Sequence, residues 1–118
     1  MFRATDSEEA AKDTVRQLLV ALQDRDASTY HALLCRSDRE FMTVPALEEN
    51  ITAMSEITGK LLDFSIEGVV LHAEADHAAV YVSLNFEGIP AGSELYNLTI
   101  EDGHWRMCFD FAELAGGS

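Results

Sequence analysis

The chain has 118 residues, is 47% apolar and carries a formal net charge of −13, so it is long enough to bury a core without staples and too hydrophobic for a disordered segment. Residues 1–60 set eleven acids against seven bases, and residues 61–118 set ten acids against Arg106 alone. With almost nothing to neutralise phosphate, the composition excludes nucleic acid and anionic lipid as partners, and no run reaches the roughly 18 apolar residues of a membrane span.

The opening residues, Met1, Phe2 and Arg3, lead into polar Thr5, Asp6, Ser7 and Glu8 without an apolar signal core. That places the chain in the cytoplasm, with a clipped soluble domain of an exported or membrane-anchored protein as the alternative. Thr5 and Glu8 have the spacing of a capping box. Ala11, Val15, Leu18, Leu19 and Leu22 then form one apolar stripe of a first helix. Asp26 caps a second helix over 27–35, with Tyr30, Leu33 and Leu34 turned inward, and the polar stretch 36–40 ends it. A third helix starts at Val44 and Pro45, buries Leu47, Ile51, Met54 and Ile57 or Thr58, and stops at Gly59.

After Gly59 the apolar period falls from 3.6 to 2. Leu62, Phe64, Ile66 and Val70 predict one strand, and residues 74–77 a hairpin connection. Val80, Val82, Leu84 and Phe86 predict a second strand, with a turn over 88–92. Tyr96, Leu98 and Ile100 predict a third. Asp102 and Gly103 mark a tight hairpin into a fourth, where Trp105, Met107, Phe109 and Phe111 alternate with polar neighbours. The expected fold class is α+β: three N-terminal helices packed on a curved antiparallel sheet of about four strands, in a single domain over 1–118, with 1–6 and 115–118 frayed.

A first helix running into LLVALQDRDASTYHALL, a later helix, and a meander closing on EDGHWRMCFDF resemble the nuclear transport factor 2-like superfamily of cone-shaped α+β rolls, in an uncharacterised bacterial branch. The resemblance covers most of the chain and rests on motifs of low specificity. It implies a hollow roll and homodimerisation through the outer sheet surface. The strand that the family sets between its second and third helices is weak here, with only residues 40–44 to supply it.

The catalytic residues of the family do not carry over. Its ketosteroid isomerases place a carboxylate base where this chain has Phe41 or Met42, with Glu40 one step off, and a Tyr where it has Leu18 and Leu19. Its epoxide hydrolases use an Asp–Arg–Asp relay, whereas Arg106 and Asp110 in one strand stand about 13 Å apart along the chain. His31, His72, His77 and His104 lack any metal-ligand spacing, so no metal and no cofactor are expected. Tyr30, His31, Phe64, His72 and Trp105 are the pocket-lining candidates, because aromatic groups with one polar handle suit a concave apolar site. Tyr81, Asn85, Arg106 and Asp110 are the interface candidates on the opposite face.

Cys35 and Cys108 permit a disulfide, as exported bacterial relatives of the resemblance would have. The alternation, however, turns Cys108 away from the helices and favours two separate thiols unless a β-bulge near Arg106 intervenes. The reading is a non-enzymatic domain that dimerises and binds a protein or an apolar small molecule. The alternative is an isomerase or cyclase of the SnoaL or ketosteroid isomerase type, using an acid such as Glu40, Asp63 or Asp110.

Overall fold

The computed structural model describes residues 8–72 and 76–111. Four helices come first: α1 (Glu8–Gln23), α2 (Ala27–Ala32), α3 (Arg36–Phe41) and α4 (Val44–Thr58). Four strands follow, β1 (Leu61–Leu71), β2 (His77–Phe86), β3 (Gly92–Glu101) and β4 (His104–Met107), in one antiparallel sheet of order β1-β2-β3-β4. Helices before a meander confirm the α+β expectation. The capping-box residue Thr5 lies outside the described residues, as do residues 74 and 75 of the expected hairpin connection.

Local chemistry accounts for the starts of α2 and α4 and the end of α4. Asp26 accepts from the Thr29 N–H at 3.1 Å and from its hydroxyl at 2.6 Å, and Thr43 accepts from the Ala46 N–H at 3.3 Å. Each satisfies a donor that the first turn leaves open. Gly59 ends α4 at φ 73°, with Glu87 Cγ 2.5 Å from where a Cβ would stand, so the site admits only glycine. In the β3–β4 hairpin both Asp102 (φ 53°) and Gly103 (φ 80°) are left-handed, as a primed two-residue turn requires.

The core is a continuous apolar seam between α1 and the inner sheet face. Val15, Leu18, Leu19 and Leu47 meet Val80, Val82, Leu98, Trp105 and Met107, all of them buried. The roll is filled by these side chains rather than hollow.

Four expectations are corrected. Among the described residues there are four named helices, not three: the polar stretch after the second helix is itself helical. On α4 the fully buried residues are Leu47 and Ile51; Met54 and Ile57 are exposed, and Thr58, the alternative to Ile57, is half-buried. Leu62 and Val70 point to solvent because register shifts between Leu61 and Asp63, and between Ile66 and Gly68, break the alternation of β1. Finally, β4 stops at Met107, so Phe109 and Phe111 lie beyond the sheet ladder.

Candidate functional site

The chemistry-bearing side chains gather where α2, α3 and the end of β4 meet. Residues 34 and 35, just past the αR cap Leu33, run alongside β4. Met107 donates its N–H to Leu33 O, and Cys35 donates its N–H to Met107 O, both at 2.8 Å, around a parallel bridge between Leu34 and Met107. Parallel neighbours turn their side chains to the same side. The residues that follow the bridge, Cys35 and Cys108, therefore stand side by side with Cα atoms 5.1 Å apart, and their sulfurs are bonded.

This corrects the reading of two separate thiols. Cys108 does turn away from Trp105, but Cys35 caps α3 in extended backbone (φ −68°, ψ 163°) and turns with it. No bulge is needed.

Three residues further on, Asp38 is 1% exposed. Its two carboxylate oxygens accept the N–H groups of Phe109, at 2.6 Å, and Phe111, at 3.0 Å. A buried carboxylate is tolerated when charge-assisted hydrogen bonds replace its water, and here both oxygens are used. The ends of α3 are tied in turn: Arg39 Nη1 donates to Leu34 O at 2.9 Å, and His31 Nε2 donates to Met42 O at 2.8 Å. His31 is thus a brace for α3 rather than a pocket group.

Held this way, Phe109 stacks on Tyr30 with ring centres 6.2 Å apart, meets Tyr96 edge-on at 6.1 Å, and stacks on Phe111 at 5.1 Å. Burial, with the charge of Asp38 adding to it, pushes the Tyr30 phenol well above its ordinary pKa. Burial followed by the Glu94 charge pushes Tyr96 up to about 12. Both tyrosines remain neutral at physiological pH and are poor proton shuttles there.

The other candidates are dispersed. Phe64 is half-buried at the margin of the core. His72 is exposed at the end of β1, edge-on to His77 at 6.2 Å. Trp105 is 2% exposed, and its Nε1 has no partner among the described residues. Tyr81, Asn85 and Arg106 do share the outer sheet face, by their register with Leu95, Asp63 and Thr99. Asp110 does not, because the chain leaves the sheet and Asp110 adopts φ 57°. The acids considered for catalysis, Glu40, Asp63 and Asp110, are all exposed.

One hollow beside the core, lined by Leu22, Ile51, Leu61 and Phe86, measures about 60 Å³, far below the ~300 Å³ at which small-molecule sites begin. Cys35, Asp38 and Cys108 offer ligand atoms within 4.8 Å of one another, but the two sulfurs are bonded to each other rather than free to hold a metal. Sequence reasoning passed over Asp38. Its only local signal is a carboxylate three residues after a cysteine in a polar run.

No protein-family model matches the chain, and no curated protein matches it. Solved structures do. An NTF2-like transpeptidase from Campylobacter jejuni superposes with TM-score 0.62 at 16% identity, covering 88% of this chain and 100% of that one. A cystatin-like protein of unknown function from Nostoc punctiforme gives TM-score 0.66 at 12% identity, covering 91% and 90%. A SEC-C motif containing protein from Rhodopseudomonas palustris gives 0.66 at 16%, covering 90% and 78%. The chain therefore has the cystatin-like, NTF2-like fold.

Proposed function

We propose that this NTF2-like domain is a non-enzymatic interaction module that pairs with a second copy of itself through the outer face of its sheet. The observation that carries the reading is an apolar patch on that face. Val70 is 50% exposed, and Tyr81 and Leu95, direct cross-strand partners, are 46% each. Gly68, opposite Tyr81 in β1, leaves open space beside them. Exposed apolar groups that adjoin on a flat sheet are typical of a surface that is covered in use.

The filled roll and the commitment of Asp38 and His31 to backbone groups support binding over catalysis. They weigh against the isomerase or cyclase alternative, which needs an acid facing an apolar hollow. A protein partner for the same face fits the reading better than an apolar small molecule does, since a ligand in the roll would have to displace core side chains. The Cys35–Cys108 bridge supports an oxidising compartment, hence the exported alternative rather than the cytoplasm.

The lower part of the face is polar and acidic. Glu67 accepts from Ser65 at 2.9 Å and Ser83 at 3.1 Å, and Asp63 accepts from Asn85 at 3.3 Å. Two such faces repel, so added salt should strengthen the pairing. Light scattering at micromolar concentration tests the proposal. Twice the 13.0 kDa chain mass is expected for the wild type, and the single mass for Leu95→Glu. A wild type that stays at 13.0 kDa at every salt concentration overturns it.

A further inference from the structure

Residues 108–111 are tied to the α2–α3 corner by the bond from Cys108 to Cys35 and by the two N–H groups given to Asp38, and Cys108 also donates its N–H to Asn97 O on β3 at 3.1 Å. What they hold down is aromatic. Phe109 lies between Tyr30 and Tyr96, and Phe111 stacks behind it. The segment follows the last strand, and Asp110 in its middle is left-handed, a conformation that non-glycine residues adopt at a cost. A short strained segment seated on two tyrosines by a reversible covalent bond has the parts of a latch.

We propose that residues 108–111 form a redox-released strap over a binding site for an aromatic group. With the bridge intact, Phe109 occupies the floor formed by Tyr30 and Tyr96. With the bridge reduced, the strap lifts and that floor is open to an aromatic ligand.

The chemistry balances with a dithiol reductant. Its thiolate attacks Cys108 Sγ, because Cys108 is partly exposed whereas Cys35 is 1% exposed. The sulfur–sulfur bond breaks and Cys35 leaves as a thiolate, with the Ser37 hydroxyl 3.5 Å away to solvate it. The second thiol of the reductant then closes its own disulfide and displaces Cys108. Two electrons and two protons pass to the protein, which ends with two thiols. Carboxylates lie close to both sulfurs: Asp38 is within 4.8 Å of each, and an Asp110 oxygen is 3.7 Å from Cys108 Sγ. After reduction the strap keeps the two hydrogen bonds to Asp38, the Cys108 N–H bond to Asn97 O and the ring contacts of Phe109, and it has lost its covalent tie.

The test is amide hydrogen exchange on the full chain, oxidised and then reduced with dithiothreitol, together with titration by the neutral fluorescent probe N-phenyl-1-naphthylamine. Reduction lowers global stability and so speeds exchange everywhere, but it should speed exchange at Phe109 and Phe111 by at least about tenfold more than at Val80 and Val82, the pattern of local opening. The probe should bind the reduced protein, and Tyr96→Ala should weaken that binding. Phe109→Ala, which removes the plug and keeps the bridge, should bind the probe while oxidised. Equal exchange at Phe109 and Phe111 in the two redox states overturns the proposal. So does a parallel rise at Val80 and Val82, which marks global loosening, and so does probe binding that ignores redox state in the wild type.

Discussion

The bond between Cys35 and Cys108 should be the largest single stabilising tie in the domain. The two residues are 73 positions apart. In the loop-entropy treatment, closing a loop of that length removes about 15 cal/mol/K from the unfolded chain, or about 4.4 kcal/mol at 25 °C. An unfolding entropy of about 2.1 cal/mol/K per residue implies about 250 cal/mol/K for this domain, so losing the bridge should lower Tm by about 18 °C. The assay is thermal unfolding followed by circular dichroism on the oxidised wild type, the same protein reduced, and Cys35→Ala/Cys108→Ala. The reduced wild type and the double variant should melt close together, well below the oxidised form. The double variant sits slightly lower because Cys35 is buried and its sulfur leaves a void. Oxidised and reduced wild type melting within about 3 °C of each other, under 1 kcal/mol on the same entropy, would refute the argument. It would mean that the unfolded chain already keeps residues 35 and 108 close without the covalent bond.

Asp38→Asn should cost about 2–4 kcal/mol, because an amide offers one acceptor to two buried N–H groups and turns a donor toward the second; urea midpoints equal to wild type would show that the N–H groups of Phe109 and Phe111 find other partners. Trp105→Ala should cost about 3–5 kcal/mol by removing a buried aromatic from between sheet and helix; chemical denaturation reads this, and a loss under about 1 kcal/mol contradicts that packing. Tyr30 and Tyr96 are both raised in the folded state, so the stability they contribute is complete below pH 10, where the unfolded phenols also stay protonated, and is lost as pH climbs toward the folded values. Tyrosinate absorbance of the native protein should accordingly lag behind that of the urea-unfolded chain above pH 10. Superimposable titrations would put both phenols in water.

Much of the framework was legible because it is written locally. The stripe of α1, the cap Asp26, the helix start at Val44 and Pro45, the stop at Gly59 and the paired left-handed residues at Asp102 and Gly103 each depend on neighbours within four positions. What was not legible depends on contacts that local periodicity does not carry. Leu62 and Val70 look like core residues of a regular strand, and only the two irregularities in the β1–β2 register turn them outward. The run 36–41 has no apolar stripe, and nothing intrinsic distinguishes it from a loop. It is held as a helix by His31 at its end, by Arg39 reaching back to Leu34, and by Asp38 reaching across to Phe109 and Phe111. The interface candidates were partly legible: alternation put Tyr81, Asn85 and Arg106 on one face, and it failed for Asp110 where the ladder ends.

The remaining errors share a location, and that has a physical meaning. The unexpected helix, the early end of β4, the buried carboxylate and the misjudged cysteines all lie at the corner where residues 33–41 meet residues 107–111. Alternation correctly turned Cys108 from the core and then went wrong by assuming that a cysteine near a helix end must face the core as well. One parallel bridge, Leu34 to Met107, reverses that conclusion, because it makes residue 35 a strand neighbour rather than a helical one. From that single juxtaposition the rest follows. The sulfurs meet, α3 begins at the bonded cysteine, and its third residue comes within reach of the backbone beyond β4. The corner is dense with specific ties, and Asp38 and His31 both direct their hydrogen bonds to backbone groups. Its chemistry is therefore directed at holding residues 108–111 in place, which is why function in this domain is better sought on the outer sheet face and beneath that strap than in the filled interior of the roll.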